Sequence, residues 1–317
     1  MPAASATPEQ IKSYEETVAR AWGGRDKLGT LFASSPDYHL AFIDAVYGRY
    51  QGALDLLVPW VRRLVPDIAV RRLFEVGCGT GSSTAAFATI CEQVTAFDVA
   101  ERDVVLARER LTHFAAIGST ADACDFPEIL RRLDSEDRVD GVLLFAVLEH
   151  MYVSERIDVL RRAWAKLPPG GIIVICETPN RLSYFDRHTF RQPFMNMLPP
   201  ELVKLWAATC TNQATRDQIE AIRSEDYLEL RDKFVRMGQS GPSFHEFETA
   251  IGTNVHRCVI SGEFDPEISP INGPYRLEHD LLSRALRERT PHVHPAFAMP
   301  MLYVILRKPD RSHVPIV

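Results

Sequence analysis

Three glycines at alternate positions, Gly77, Gly79 and Gly81, are the feature that most constrains the fold of this chain. They follow a short apolar run, 71–76, and precede 82–88, which has the composition of the start of a helix. A turn that leads directly from a strand into a helix needs backbone angles that a Cβ disfavours, and bare main chain lets a ligand lie against it. The pattern therefore predicts a strand–turn–helix unit that binds a nucleotide or nucleoside.

Two acidic residues at strand ends narrow the choice of ligand. Glu75 lies two positions before the first glycine, where its carboxylate would repel a pyrophosphate and attract a ligand with ammonium and sulfonium charges. A second predicted strand, 93–98, ends at Asp98, near the position where such folds hold a ribose diol. A carboxylate that accepts two hydroxyl hydrogen bonds makes charge-assisted contacts. The two strand ends thus favour a cationic nucleoside over a purely structural turn.

These residues resemble motifs I and II of the class I S-adenosylmethionine-dependent methyltransferases, and the resemblance covers 73–180. It implies S-adenosylmethionine as the cofactor and S-adenosylhomocysteine as the product. In this family an Asp-Ala step after the third strand contacts the adenine, and Asp122 and Ala123 match it; helix capping is the alternative for Asp122 and Asp125. The residues expected to bind the cofactor are Glu75, Gly77, Cys78, Gly79, Gly81, Asp98, Val99, Asp122, Ala123, Phe145 and Ala146.

The sequence Leu148-Glu149-His150 after the fourth strand is similar to that of the ubiquinone-type O-methyltransferases. Histidine titrates near neutrality, so His150 could accept a proton from an acceptor hydroxyl or amine. In some relatives the same acid and histidine bind a divalent metal, but one Glu–His pair is not a coordination set. No metal is therefore expected.

The step Thr178-Pro179-Asn180 at the end of the fifth strand resembles the same group. Pro179 should end the strand, so that the side chains after it enter the acceptor pocket. The catalytic candidates are Glu149, His150, Asp186 and His188. A surface salt bridge is the alternative role for Asp186, Arg187 and His188.

Regular alternation of strand-like and helix-like segments predicts an α/β fold, a parallel and doubly wound Rossmann-like sheet of seven strands. The predicted strands are 71–76, 93–98, 113–119, 139–146, 171–177, Val255–Ile260 and Met301–Arg307. Helices are expected before the first strand, over Pro8–Trp22 and from Pro36 to Leu64, and a helical lid is expected after strand five. Five residues of the N-terminal helices could face the cofactor, with core packing as the alternative: Tyr14, Trp22, Tyr47, Arg49 and Tyr50.

This fold implies four parts of the chain. They are an N-terminal helical cap at 1–70, a cofactor-binding core at 71–180, a substrate lid with the sixth strand at 181–298, and the last strand with a tail at 299–317.

Composition limits the partners and the compartment. The net charge of −6 and the absence of a Lys/Arg run argue against nucleic acid as a partner. Six cysteines without paired spacing indicate reduced thiols. The N-terminal residues do not form a signal sequence, and no apolar segment is long enough to span a bilayer. We therefore expect a cytoplasmic protein without stable membrane insertion, and a homodimer is compatible with it.

The predicted activity is methyl transfer to an oxygen, with nitrogen as second choice, of a small or medium acceptor. The aromatic and methionine-rich segment after residue 181 favours an acceptor that is largely apolar. Two alternatives stay open at this point. One is an NAD-dependent oxidoreductase, against which Glu75 and the glycine spacing argue, and the other is a non-catalytic protein that binds S-adenosylmethionine and activates a partner.

Overall fold

The computed structural model describes residues 48–114, 118–207, 209–210, 213–273 and 276–309, together with the single residues 9, 12, 13 and 16. The candidates Tyr14, Trp22 and Tyr47 lie outside the described residues. The chain divides into two compact units, Met1–Leu143 and Leu144–Val317.

The described residues contain a six-stranded sheet in the order β3-β2-β1-β4-β5-β6. The strands are β1 Arg72–Val76, β2 Gln93–Asp98, β3 Thr120–Ala123, β4 Gly141–Phe145, β5 Ile172–Pro179 and β6 Met301–Arg307. This order and the helices between the strands confirm the α/β, Rossmann-like class. Strand β1 pairs in parallel with β2 and β4, and β2 pairs in parallel with β3. Strands β5 and β6 are antiparallel, so the sheet is mixed and not wholly parallel as predicted.

The sixth predicted strand, Val255–Ile260, is wrong. Residues Val255–Cys258 form a 3₁₀-helix, and Val259 makes only an isolated bridge to Leu306. Val255 and Cys258 are the buried residues of the helix and lie three positions apart. That spacing matches the three-residue turn of a 3₁₀-helix and not the two-residue period of a strand.

The third strand is predicted too early in the chain. The preceding helix continues to His113, and β3 begins at Thr120. The apolar composition before residue 118 suggested a strand there, but β3 lies at the end of the strand order, where one buried residue, Ala121, is enough. Asp122 therefore lies within β3 and not after it.

The first unit places helices before β1 and between its strands. Leu57, Trp60 and Val61 are buried and belong to its core. This confirms the helix predicted up to Leu64 for the part of it that the structure describes. Among the described residues from 48 to 143, the helices are Arg49–Gly52, Val58–Leu64, Ser82–Phe87, Glu101–His113 and Phe126–Ser135, with a π-helical segment at Ala53–Leu57 and a 3₁₀-helix at Ile68–Val70.

The second unit contains a largely helical insertion between β5 and β6. Its α-helices, with the one that precedes β5, are Val153–Lys166, Pro200–Ala207, Gln213–Glu220, Tyr227–Arg236, Phe244–Ile251, Ser269–Asn272 and Arg276–Arg289. The 3₁₀-helices are Leu148–His150, Met195–Met197, Val255–Cys258 and Pro295–Ala298. The capping box predicted at Ser243 and Glu246 is confirmed. That the insertion acts as a lid stays a prediction.

Asn180 joins the two ends of this insertion. Its side-chain amide donates hydrogen bonds to the carbonyl oxygens of Phe297 at 2.6 Å and Met299 at 3.0 Å. Its backbone N–H donates to the carbonyl of Pro300 at 2.9 Å. Since Asn180 is buried, these bonds are protected from water and fix the chain where it leaves β5 and where it returns to β6. Among the described residues, no helix combines the length and the apolar character needed to cross a bilayer.

Candidate functional site

The three glycines form the turn that the sequence predicts between β1 and the helix Ser82–Phe87. All three have positive φ: 78° at Gly77, 49° at Gly79 and 77° at Gly81. A Cβ at Gly81 would lie 2.8 Å from both Cα and Cβ of Ala107, so this glycine lets two helices approach closely. A Cβ at Gly79 would have no atom within 4 Å. The turn therefore exposes bare main chain to open space at Gly79.

Asp98 holds this turn from the end of β2. Its Oδ2 accepts a hydrogen bond of 2.7 Å from the backbone N–H of Gly79, and its Oδ1 accepts one of 2.8 Å from Ala100. The backbone N–H groups of Gly77 and Cys78 both donate to the carbonyl of Phe97, at 2.8 and 3.1 Å. The predicted ribose-binding carboxylate and the glycine turn are thus in direct contact.

Glu75 is fully buried beneath the turn. Its carboxylate accepts hydrogen bonds from the hydroxyl of Ser83 and, at 2.5 Å, from the hydroxyl of Thr84. Burial raises the pKa of Glu75 from 4.5 to about 7, although the two hydroxyl hydrogen bonds act in the opposite direction. These contacts tie β1 to the helix that follows the turn. The attraction of Glu75 for a cationic ligand stays a prediction.

The end of strand β3 lies beside the end of β2 in the first unit. Ala123 is the register partner of Asp98. The carboxylate of Asp122 accepts a hydrogen bond of 2.6 Å from Arg108, and the side chain of Val99 is 66% exposed. Asp125 caps the next helix by accepting from the N–H of Glu128 at 2.8 Å, as the alternative reading of this loop predicted. The contact of Asp122 with adenine stays a prediction.

Arg110 supports the turn and was not found from the sequence. It is fully buried in the helix Glu101–His113, and its Nε donates a hydrogen bond of 2.9 Å to the carbonyl of Thr80. Its guanidinium lies 6.0 Å from the ring centroid of Tyr50, which stacks on Phe114. Tyr50 therefore packs in the core. An arginine in a helix with several other charged residues gave no sequence signal for burial.

In the second unit, β4 ends with backbone of an unusual conformation. Ala146 has a φ of 47°, rare for a residue with a Cβ, and its N–H donates a hydrogen bond of 2.9 Å to the carbonyl of Cys176. Glu177 in β5 also has a positive φ, of 51°. Conformations of this kind cost energy and concentrate at functional sites. That Phe145 and Ala146 contact the cofactor stays a prediction.

Three of the four catalytic candidates come together in the second unit. The Oε1 atom of Glu149, which is fully buried, lies 3.6 Å from Nε2 of His188 and 3.9 Å from Nε2 of His150. One ligand atom from each of the three side chains lies within 4.8 Å of the others. The sequence places Glu149 and His150 next to each other, but only the fold brings His188 to them. We call these three residues the Glu-His-His cluster.

Asp186, the fourth candidate, positions the loop that carries His188. It is fully buried, and its carboxylate accepts hydrogen bonds from the backbone N–H groups of His188, at 3.0 Å, and Phe190. Burial raises the pKa of Asp186, whereas these N–H donors lower it. The surface salt bridge considered for this residue is not what the structure shows.

Arg156 fixes the 3₁₀-helix Leu148–His150 and was also missed. Its Nε donates to the carbonyls of Leu148 at 2.7 Å and Met151 at 3.0 Å. Its terminal nitrogens donate to the carbonyl of Gly241 at 2.7 Å and form an ion pair of 3.3 Å with Glu246. The sequence did not single out Arg156 as a buried residue, because the same helix contains other arginines, and these are more exposed than Arg156.

The chain is similar in sequence to known methyltransferases. A methyltransferase domain family matches residues 74–175. The demethylmenaquinone methyltransferase of Clavibacter sepedonicus is 32% identical over 200 residues, which cover 62% of this chain and 76% of that protein. The ubiquinone biosynthesis O-methyltransferase of Cereibacter sphaeroides is 30% identical over 183 residues, which cover 55% of this chain and 64% of that protein. The chain spans about three fifths of the length of the ubiquinone relatives that it matches.

Among solved structures, the chain is similar to CalS10, an amino pentose methyltransferase from Micromonospora echinaspora with bound SAM. The identity is 29%, the matched parts cover 44% of this chain and 54% of that chain, and the TM-score is 0.33.

Parallel strands whose ends carry a glycine turn and a carboxylate define a Rossmann-like protein that binds a nucleoside. With the sequence relatives, the assignment becomes narrower: the chain belongs to the class I S-adenosylmethionine-dependent methyltransferases, and S-adenosylmethionine is its cofactor.

Proposed function

We propose that this protein transfers the methyl group of S-adenosylmethionine to an oxygen of a small or medium, largely apolar acceptor. The observation that carries the proposal is the hydrogen bond between Gly79 and Asp98, beside open space at Gly79. It joins bare main chain and a carboxylate, the two features that a nucleoside with ribose hydroxyls requires. The exposed side chain of Val99 supplies an apolar surface next to them, suited to a base.

Two observations support the choice of acceptor. The relatives include enzymes named for ubiquinone biosynthesis O-methylation and for demethylmenaquinone methylation, whose names point to quinone-like acceptors. The insertion after β5 exposes large apolar side chains, which would suit an acceptor of that kind. They are Tyr184, Phe194, Met197 and Trp206.

The chemistry that the protein must supply is modest, since the sulfonium is already an activated leaving group. The acceptor oxygen forms a bond to the methyl carbon, the carbon–sulfur bond breaks, and its electron pair stays on sulfur as the thioether of S-adenosylhomocysteine. The hydroxyl proton leaves the acceptor. Holding the reactants in line contributes about 7–11 kcal/mol, and proton removal about 10²–10⁴ in rate. We propose that the Glu-His-His cluster accepts this proton.

Calorimetry and a turnover assay test this function. We expect S-adenosylmethionine and S-adenosylhomocysteine to bind to the purified protein and NAD not to bind. Release of S-adenosylhomocysteine should then depend on a hydroxylated aromatic acceptor, such as a catechol or hydroquinone with an apolar tail, and should be slower with the matching amine. Binding of NAD alone would contradict the proposal. If S-adenosylmethionine binds but turnover is faster with the amine, the methyltransferase activity stands and only the proposed attacking atom, oxygen, is wrong.

A further inference from the structure

We propose that Ser240 and Asn196 bind a second hydroxyl group of the acceptor, distinct from the oxygen that receives the methyl group. This contact rests on the proposed function, whose acceptor it narrows to rings that carry two hydroxyl groups, such as a catechol or a hydroquinone. Both residues belong to the second unit of the chain. They lie in two segments that bond to each other beside the Glu-His-His cluster.

The segment 238–241, which contains Ser240, lies directly against the cluster. Both ends of the segment are glycines. A Cβ on the first glycine would lie 2.9 Å from Cε1 of His188 and 3.0 Å from Cε1 of His150. A Cβ on the last glycine would overlap the carbonyl oxygen of Pro179, at the end of β5. Ser240 therefore lies between a contact with both imidazole rings and a contact with β5.

Arg156 fixes the main chain of this segment. Its guanidinium donates hydrogen bonds to the carbonyl oxygen of Ser240 and, at 2.7 Å, to that of Gly241. The same side chain donates a hydrogen bond of 2.7 Å to the first carbonyl of the 3₁₀-helix Leu148–His150. One buried arginine thus joins the main chain at Ser240 to the helix that carries two members of the cluster.

Asn196 is held beside the same segment by the side chain of Gln239. Nε2 of Gln239 donates hydrogen bonds to the carbonyl oxygens of Met195 and Leu198, each at 3.2 Å. Asn196 lies between these two acceptors in the chain, within the 3₁₀-helix that follows the loop of the cluster. Since Gln239 precedes Ser240 directly, the turn that carries Asn196 and the segment that carries Ser240 are neighbours.

Both residues have a buried polar atom that makes no hydrogen bond. Neither Oγ of Ser240 nor Oδ1 of Asn196 has a partner within the part of the chain that the structure describes. Asn196 as a whole is only 4% exposed. A buried polar atom without a partner costs free energy, and most buried polar groups in proteins are paired. Two such atoms in neighbouring segments beside one site indicate groups whose partner is a ligand.

The two unpaired groups together match a hydroxyl. Oδ1 of Asn196 can only accept a hydrogen bond, whereas the hydroxyl of Ser240 can also donate one. A phenolic hydroxyl would donate its proton to Oδ1 and accept the proton of the serine. Ser240 is partly exposed, so rotation about its Cα–Cβ bond can turn the hydroxyl towards a molecule that binds beside it. In the rival arrangement both groups bond only to water.

Calorimetry of the full chain with saturating S-adenosylhomocysteine tests the contact. The ligands are a catechol, a hydroquinone and a phenol that share one apolar tail. The wild type should bind the better of the two dihydroxy compounds roughly 3- to 10-fold more tightly than the phenol, the factor that one net hydrogen bond contributes. Ser240→Ala and Asn196→Leu should each reduce this preference and keep the wild-type affinity for the phenol.

Urea unfolding separates this contact from a structural role. Ser240→Ala removes an unpaired hydroxyl, so its unfolding midpoint should not fall below that of the wild type. Ser261→Ala is the matched control, because Ser261 is also buried but its hydroxyl oxygen accepts a hydrogen bond of 3.2 Å from the N–H of Ile305. The control should unfold at a lower urea concentration and bind all three compounds as the wild type does.

Two results overturn the proposal: a wild type that binds neither dihydroxy compound more tightly than the phenol, and variants that both keep the wild-type preference. If the preference depends on Ser240 and Asn196 but no S-adenosylhomocysteine is released from S-adenosylmethionine with any of the three compounds, the contact stands and the proposed function is wrong. Methyl transfer to all three compounds, with equal affinity for each, contradicts the second hydroxyl contact alone.

Discussion

Asp98 and Gly79 are joined by a hydrogen bond of 2.7 Å from the backbone N–H of the glycine to the carboxylate. The second oxygen of Asp98 accepts from Ala100, so one side chain sets both the end of β2 and the shape of the glycine turn. The carboxylate that the proposal assigns to the ribose also holds the main chain against which the ligand would lie.

Replacement of Asp98 by alanine should therefore weaken S-adenosylmethionine binding on the order of 10- to 100-fold, since a hydrogen bond to a charged group contributes about 1.5–3 kcal/mol. Asp137→Ala removes an exposed carboxylate before β4 and serves as the control. Calorimetry measures both dissociation constants. An unchanged constant for Asp98→Ala would show that this carboxylate does not contact the ligand.

Alanine at Gly79 and at Gly81 should have different effects. At Gly81 the methyl group would meet Ala107, so Gly81→Ala should destabilise the fold by about 1–3 kcal/mol from overpacking, in addition to the strain of its positive φ. At Gly79 the methyl group enters open space, so Gly79→Ala carries the strain of its positive φ but no overpacking; it should destabilise the fold less than Gly81→Ala and lower ligand affinity more. Urea unfolding and calorimetry on both variants compare the two effects. The reverse order of effects would contradict this account of the turn.

Glu75 should make the folded state less stable as the pH rises. Burial raises its pKa from 4.5 to about 7, so between these values the folded chain holds a proton that the unfolded chain has lost. Its contribution to the free energy of unfolding is therefore greatest below pH 4.5 and falls as the pH rises through 7, by on the order of 3 kcal/mol. Glu75→Gln cannot titrate, so its stability relative to the wild type should increase across this range. Urea unfolding at several pH values measures the difference, and parallel curves would count against a buried titrating carboxyl.

Arg156 and Glu246 form a buried ion pair at 3.3 Å. Arg156→Ala should lower the free energy of unfolding by about 3–5 kcal/mol, because it leaves the Glu246 carboxylate buried without this partner and also removes hydrogen bonds to the carbonyls of Leu148 and Met151. Glu246→Gln should cost less, since the backbone contacts of Arg156 remain. Chemical unfolding of both variants and of the double variant tests the order, which would be wrong if Glu246→Gln were the more damaging change.

The sequence predicted the elements whose signals are local. Strand β2 has the predicted bounds, and the turn from Gly77 to Gly81 has the positive φ values that its glycines require. The strand expected at Val255–Ile260 was wrong because its composition suits a strand while its burial follows a period of three. The bounds of β3 depend on pairing with β2, which no local pattern records.

The candidate site was predicted only where its residues are neighbours in the sequence. Glu149 and His150 are adjacent in the sequence, but the approach of His188 depends on the loop that Asp186 holds. The roles of Arg110 and Arg156 could not be predicted either, because both donate to backbone carbonyls of residues remote from their own helix turn. Every residue has a backbone carbonyl, so the sequence does not show to which residue such an arginine will donate.

The hydrogen bonds of Asn180 to Phe297 and Met299 close a loop of more than a hundred residues at its base. These bonds fix both ends of the insertion beside β5 and β6. Under the proposed function, in which the insertion contacts the acceptor, exchange of the insertion would change the acceptor and leave the cofactor-binding strands unchanged.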